Sequence, residues 1–315
     1  MDSFRPVAEA ARGSRSAAVA RALRLRRRRL GQVPWALALP GFAALVAFHF
    51  AAIGFGAYYA FTNWNGLAHS SWVGLRNFRE IVDDASARGA LWHTLELAGG
   101  FVVLTNAIGL ALALGLNRAV KTRHLLRSLF FLPVALSPLA IAYIWGWIFY
   151  YQGALNRVLG SVGLSSLKRD WLGNPSTALW SILVVMVWQF SGLAMVLYLA
   201  GLQSVSEDIY EAMLVDGASP WFRFRKVVLP LLAPAMTVSA TLTLIIGLRV
   251  FDQLKALTDG QPVGATETLA LEVYQQTFYL LRFGYGAALA LILTALITVF
   301  ALTQLALLRR NEQRL

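Results

Sequence analysis

Long apolar runs separated by shorter polar stretches set the pattern of this chain. A bilayer core of about 30 Å takes about 20 helical residues. Six runs reach that length with almost no charge, at 35–61, 91–116, 129–151, 178–202, 231–251 and 286–308. Their Ala, Leu and Gly content predicts helices, and they are too long for barrel strands, which cross in about 9–11 residues. One such run alone could be the buried helix of a soluble core; six in succession argue against that. The pattern predicts an all-α integral membrane protein with six transmembrane helices.

Composition narrows the class further. The chain has 315 residues, 57% hydrophobic and 14% charged, with no cysteine, and a mean hydropathy of +0.58. A soluble domain carries about 25% charged residues, so a soluble enzyme, a disordered chain and a disulfide scaffold are all excluded. The formal charge of +12 does not point to nucleic acid, because the basic residues sit beside apolar runs and form no stripe with interleaved aromatics. They sort by side. The tail 1–34, the 117–128 connection with Arg118, Lys121, Arg123 and Arg127, the later connection with Arg223, Arg225 and Lys226, and the tail 309–315 form one alternate set. That set holds more than twice the Lys and Arg of the other, which places both termini in the cytoplasm. The LRLRRRRL run at 23–30 resembles a targeting signal or a nucleic-acid arm. The apolar stretch after it is too long for a signal-peptide core, so it reads as an uncleaved anchor held at anionic lipid.

The connection at 204–234 carries the most information. Ser204 has capping-box spacing to Glu207, with Ser206 as a second possible cap. Gly217 is placed to end that helix in a left-handed cap, and Ser219 before Pro220 starts another. Pro230 and Pro234 mark the entry to the fifth span. Two short helices meeting at a glycine, with apolar Ile209, Tyr210, Met213 and Leu214, make either a compact protrusion or an interfacial hairpin lying on lipid.

The stretch EAMLVDGASPWFRFRKVVLP at 211–230 resembles the EAA loop of binding-protein-dependent ABC importer permeases. Glu211, Ala212, Asp216, Gly217, Ala218, Leu229 and Pro230 match its pattern, and Met213 stands where a second alanine is usual. SWVGLRNFREIV at 71–82, RSLFFLPVALSPLAIAYIWGWIFYYQGALN at 127–156, FDQLKALTDGQP at 251–262 and ATETLALEVYQQTFYLLRFGYGAALA at 265–290 are similar to the carbohydrate branch, of maltose and glycerol-phosphate type. The resemblance covers about 41–308. It implies the type I permease (MetI-like) fold, with tail 1–34, a first helix and outer loop at 35–90, a core of five helices at 91–308 with the EAA loop at 204–230, and tail 309–315. It also implies a multi-pass protein of the cytoplasmic membrane that is no enzyme. Its partners would be a second homologous permease subunit, two ATP-binding subunits and an extracytoplasmic sugar-binding protein. The ATPase would be contacted through Glu211, Ala212, Met213, Asp216 and Gly217, with Glu211 paired to a cation. The chain contains no GxxxxGK[ST], so no phosphate cradle of its own.

Polar groups at depth face a cavity or a partner helix. Asn106, Gln189 and Arg249 are candidates for a substrate pathway, and Gln304 for interhelical bonding. Arg249 and Asp252, three apart, share a face if the helix is continuous and then pair. Trp145, Trp147, Phe149, Tyr150 and Tyr151 form either an interfacial belt or a platform for a sugar ring. The four histidines, His49, His69, His93 and His124, have no ligand spacing; no metal, cofactor or catalytic constellation is expected. The alternatives are a gradient-driven transporter, a membrane-embedded enzyme, or an ABC permease for a non-sugar solute such as glycerol phosphate. A second EAA-type loop, as paired repeats would supply, is missing.

Overall fold

The computed structural model describes residues 35–67, 69–117, 121–204, 215–217 and 219–312. The described residues are helical, with a lone antiparallel bridge between Thr62 and Trp72. The chain divides into two compact units, Met1–Gly56 and Ala57–Leu315. Helix α1 (Trp35–Leu45) continues through a wider turn at Val46–Phe50 into α2 (Ala51–Tyr59). Its Ala38–Tyr59 stretch is long and apolar enough to cross a membrane, and none of its most apolar window is buried within the chain.

After α2 come α3 (Arg76–Asp83) and α4 (Ala85–Leu116). The Asp84 side chain caps α4 by accepting from Ser86 N, which satisfies one of the orphan donors of a helix start. The next elements are α5 (Arg123–Ala135), α6 (Pro138–Phe149) and α7 (Ala154–Ser161). Helix α8 (Pro175–Gln203) starts at an Asn174 cap with Pro175 at its first position. Then follow α9 (Pro220–Arg223), α10 (Leu229–Leu231), α11 (Ala233–Leu248), α12 (Asp252–Leu257), α13 (Leu269–Tyr274) and α14 (Phe283–Glu312).

Helices α4 and α8 form the centre. Phe101 and Leu97 of α4 pack on Ile182, Leu183 and Met186 of α8. About two to three turns further along, Ala113 and Leu116 meet Ala194, Met195, Tyr198 and Leu199. At Gly109 an added Cβ would lie 2.5 Å from Ala194 Cβ. At Gly192 it would collide with the Phe130 carbonyl of α5. Small residues let helices approach closely where lipid provides no hydrophobic drive for association.

Four of the six expected spans each run as one helix long and apolar enough to cross a membrane: Ala38–Tyr59, Ala85–Leu116, Pro175–Gln203 and Phe283–Leu308. The other two are bent pairs. Arg123–Ala135 meets Pro138–Ser161 at 99°, and Pro220–Leu231 meets Ala233–Leu248 at 67°. The expected single helix at 129–151 is therefore broken. Pro138 forces the residue before it out of the helical region, and Leu136 and Ser137 are extended, with ψ of 146° and 134°. The expected helix at 231–251 likewise ends at Leu248, and Pro230 and Pro234 flank the bend at Leu232.

Candidate functional site

The corner after α8 is built from local caps. Ser204 ends α8 and donates its hydroxyl to Gly201 O at 2.7 Å. The expected helix around Glu211, Ala212 and Met213 lies outside the described residues, as do Ser206, Glu207, Leu214 and Ala218. Gly217 has φ +66°, the left-handed conformation that glycine adopts without strain. Ser219 Oγ accepts from Phe222 N at 3.3 Å, and Pro220 follows as the first residue of α9. Beyond α9, Val228 and Leu232 are buried against Leu116, Tyr198 and Leu202. The C-terminal half of the corner is thus fixed to the α4–α8 centre. Arg127 Nη2 ties α5 into the same end, donating to Leu116 O at the end of α4. By contrast Val215, Trp221 and Phe222 are 88%, 66% and 54% exposed, and Asp216, Arg225 and Lys226 are exposed beside them.

Gln189 is 1% exposed and faces the break in the third span. Its Nε2 donates to Leu136 O at 3.3 Å, a carbonyl set free where α5 ends. Its Oε1 accepts from Gln253 Nε2 at 2.9 Å, and Gln253 is 3% exposed. One side chain of α8 so holds the α5–α6 break and α12 together. Asn106 makes a second junction, donating to Val102 O and Thr243 Oγ1 and accepting from Tyr198 at 2.9 Å. It joins α4, α8 and α11.

Arg249 is exposed at the end of α11. The expected Arg249–Asp252 pair does not form. Phe251, with φ −135°, separates α11 from α12, so the two residues stand on different helices. Gln304 Oε1 is buried without a hydrogen-bond partner among the described residues. Of the aromatic group, Trp145 packs on Phe149 and Trp188 at 5.1 and 5.5 Å, whereas Trp147, Tyr150 and Tyr151 are exposed. Sequence reasoning missed Gln253, Tyr198 and Thr243, because none breaks an apolar pattern by charge.

A cavity of about 640 Å³ opens between α4, α5 and α8, walled by Leu104, Ile108, Phe130, Leu136 and Trp188, with Ser191 its single hydroxyl. Such a wall has little to orient a polyhydroxylated solute. Among the described residues, no three His, Asp or Glu side chains converge where a metal would fit.

Polar chemistry concentrates instead where the segments 60–90 and 258–285 meet. Arg282 pairs with Glu80, donates to Gln276 Oε1 and lies over the Tyr285 ring. Tyr285 donates to Asp84 Oδ2 at 2.7 Å. Burial opposes the charge of Asp84, but the Tyr285 hydroxyl and the Ser86 and Ala87 N–H groups outweigh it and hold the carboxyl below its ordinary range. Glu267 goes the other way. Burial and the neighbouring Glu272 carboxyl push it up to about 8, against the lowering effect of a hydrogen bond from Ser86.

Comparison with known proteins agrees with this architecture. Residues 106–313 match the family described as binding-protein-dependent transport system inner membrane component. The chain is 34% identical over 278 residues to the probable starch degradation products transport system permease protein AmyD of Thermoanaerobacterium thermosulfurigenes, covering 88% of this chain and 94% of that protein. It is 34% identical over 258 residues to the multiple sugar-binding transport system permease protein MsmF of Streptococcus mutans, covering 82% and 88%. In fold it is similar to a chain of a bacterial ABC transporter involved in the import of the acidic polysaccharide alginate, with a TM-score of 0.78 at 22% identity over 91% of this chain and 99% of that one.

Proposed function

We propose a function from one premise: the chain belongs to the family of inner membrane components of binding-protein-dependent transport systems. On that premise it is the permease subunit of an ATP-driven importer that carries a sugar or oligosaccharide across the cytoplasmic membrane. The observation that carries the substrate class is similarity along most of the chain to permeases named for starch degradation products and for multiple sugars. The working assembly holds a second homologous permease subunit, two ATP-binding subunits and an extracytoplasmic sugar-binding protein. A bacterial alginate ABC transporter of similar fold has been solved in complex with a periplasmic protein bound to an alginate pentasaccharide. Hydrolysis of ATP belongs to the ATP-binding subunits, and this chain supplies the path.

The coupling element is the corner that contains Glu211, Ala212, Met213, Asp216 and Gly217. An amphipathic helix docks in a groove by spaced apolar anchors, and a left-handed glycine fixes the angle at which such a helix leaves the membrane. Glu211→Lys tests this, because it sets a cation against a site expected to be cationic. In reconstituted vesicles the variant should insert at normal levels while loaded binding protein no longer stimulates ATP hydrolysis. Normal stimulated hydrolysis and uptake would refute coupling through this loop. Orientation has its own test in the cysteine-free chain. A cysteine at Ser166 should react with an impermeant reagent added outside, and one at Ser219 should not; the reverse would turn the protein over.

A further inference from the structure

We infer that a small polar pocket beside the start of the sixth span is a receiving site for one ring of a neutral saccharide. The inference rests on the importer reading above and adds a residue-level site to it. The pocket has a volume of about 210 Å³ and lies between the 63–80 segment and the 281–285 turn. That is below the roughly 300–1,000 Å³ of sites for drug-sized ligands, so the space suits a single ring rather than a chain.

Its walls are fixed by bonds distant in sequence. Asn77, buried on α3, donates through Nδ2 to Ala60 O and Thr62 O, both at 2.8 Å. Val73 N donates to Phe61 O at 2.8 Å, Asn63 N to Ser71 O at 3.1 Å and Gly284 N to Trp64 O at 2.9 Å. Trp64 is stacked on Tyr59 with ring centroids 4.2 Å apart, which gives the pocket a stiff aromatic side. Pre-organised walls reduce the ordering cost of binding.

The atoms left over make the case for a sugar. With both Nδ2 hydrogens of Asn77 committed to carbonyls, the orientation of its amide is settled, and its Oδ1 is a lining acceptor with no partner in the described chain. Asn63 shows the converse. Its Oδ1 accepts from Ser71 N at 2.8 Å and its Nδ2 remains as a donor. Glu80 gives one oxygen to Arg282 and keeps the other, and the Arg76 guanidinium makes no hydrogen bond or ion pair with the described chain. Two donors and two acceptors around an aromatic wall fit hydroxyls, each of which donates and accepts. Arg282 is neutralised by Glu80, and when Asp84, which stands outside the lining one hydrogen bond behind Tyr285, is counted, Arg76 and Arg282 are matched by two carboxylates. A balanced pocket gives no advantage to an anionic sugar, whereas the 640 Å³ cavity offers hydroxyls almost nothing.

The assembled transporter in nanodiscs, labelled with 5-fluorotryptophan, provides the test. The Trp64 fluorine resonance is assigned with Trp64→Phe, then followed while glucose, maltose, xylose and raffinose are titrated in turn, with glucuronate as an anionic control. At least one neutral sugar should shift that resonance saturably and more strongly than glucuronate. The double variant Arg76→Gln, Glu80→Gln should raise the half-saturating concentration about tenfold, the equivalent of losing about one hydrogen bond to a charged group. The inference is overturned if none of the four neutral sugars moves the signal, or if it moves only when sugar-free binding protein is added. Uptake of the same sugars, measured in vesicles, tests the importer reading separately, so either can fail alone.

Discussion

Where the 60–90 and 258–285 segments meet, the chain satisfies most of its own polar groups. Asn77 spans to two carbonyls, Tyr285 holds Asp84 and Arg282 joins Glu80 to Gln276. The corner around Gly217 is built the opposite way. Its framework is equally definite, with a left-handed glycine and a Ser219 cap, yet it presents Val215, Trp221 and Phe222 to the surroundings. The first region uses most of its bonding capacity to hold a shape and turns the few groups left over into one small pocket. The second holds a shape and leaves apolar surface exposed, and clustered exposed aromatics with polar neighbours are what the proposed contact with an ATP-binding subunit would use.

The sharpest way to break that contrast is at Gly217. Nothing crowds the position, since an added Cβ would meet no atom within 4 Å. Any damage from a side chain there comes from φ alone, and a β-branched residue forced into it costs about 1–3 kcal/mol. Gly217→Val should therefore abolish sugar-stimulated ATP hydrolysis in reconstituted vesicles while insertion stays normal. Gly217→Asn, which tolerates the left-handed region, should keep most of it. Equal behaviour of the two variants would remove the backbone angle from the explanation.

What could be read without coordinates was local. The Gly217 turn and the Ser219–Pro220 start were legible because caps depend on neighbours two or three residues away. The six apolar runs were legible because length against bilayer thickness is a one-dimensional comparison. The bends were not. Pro133 and Pro138 were visible, but the 129–151 run was long enough to pass as one span, and only the tertiary clamp shows where the helix stops. Gln253 was invisible as a site for the same reason, since its meaning depends on Gln189, 64 positions away. Arg249 and Asp252 misled because a three-residue spacing has a shared face only while the helix continues, and at Phe251 it does not.

The Gln189 clamp gives an intermediate effect and tests whether the spans obey the same rule of internal satisfaction. Polar side chains between helices in a membrane contribute about 0.6 kcal/mol on average and up to about 1.7. Gln189→Leu leaves the Leu136 carbonyl and the Gln253 amide without their partner and should lower the thermal midpoint measurably. Gln253→Leu alone should do so less, because Gln189 keeps its bond to Leu136. The double variant should fall short of the sum, with a coupling of about 1 kcal/mol. Strict additivity would mean that the 2.9 Å contact carries no coupling, and normal uptake in Gln189→Leu would take this residue out of the transport path.

The smallest effect sharpens the self-contained end, where one group is paired against its charge. Glu267 sits with Glu272, Asp84 and Ser86 around it and its backbone carbonyl 3.1 Å from His93 Nδ1. Its carboxyl is raised from an ordinary value of 4.5 to about 8 by burial first and by the Glu272 carboxyl second. A raised acid means that the folded chain binds a proton more tightly than the unfolded chain. The unfolded state therefore releases that proton first as pH rises, and stability declines between about pH 4.5 and 8 before levelling off. The thermal midpoint in nanodiscs should drift downward across that window. Glu267→Gln, which keeps a neutral group of the same shape, should flatten the drift. A wild-type midpoint that is flat or rises from pH 4.5 to 8, or a drift unchanged in Glu267→Gln, would show that Glu267 is ionised like any surface carboxylate and that this end, too, leaves a charge to its surroundings.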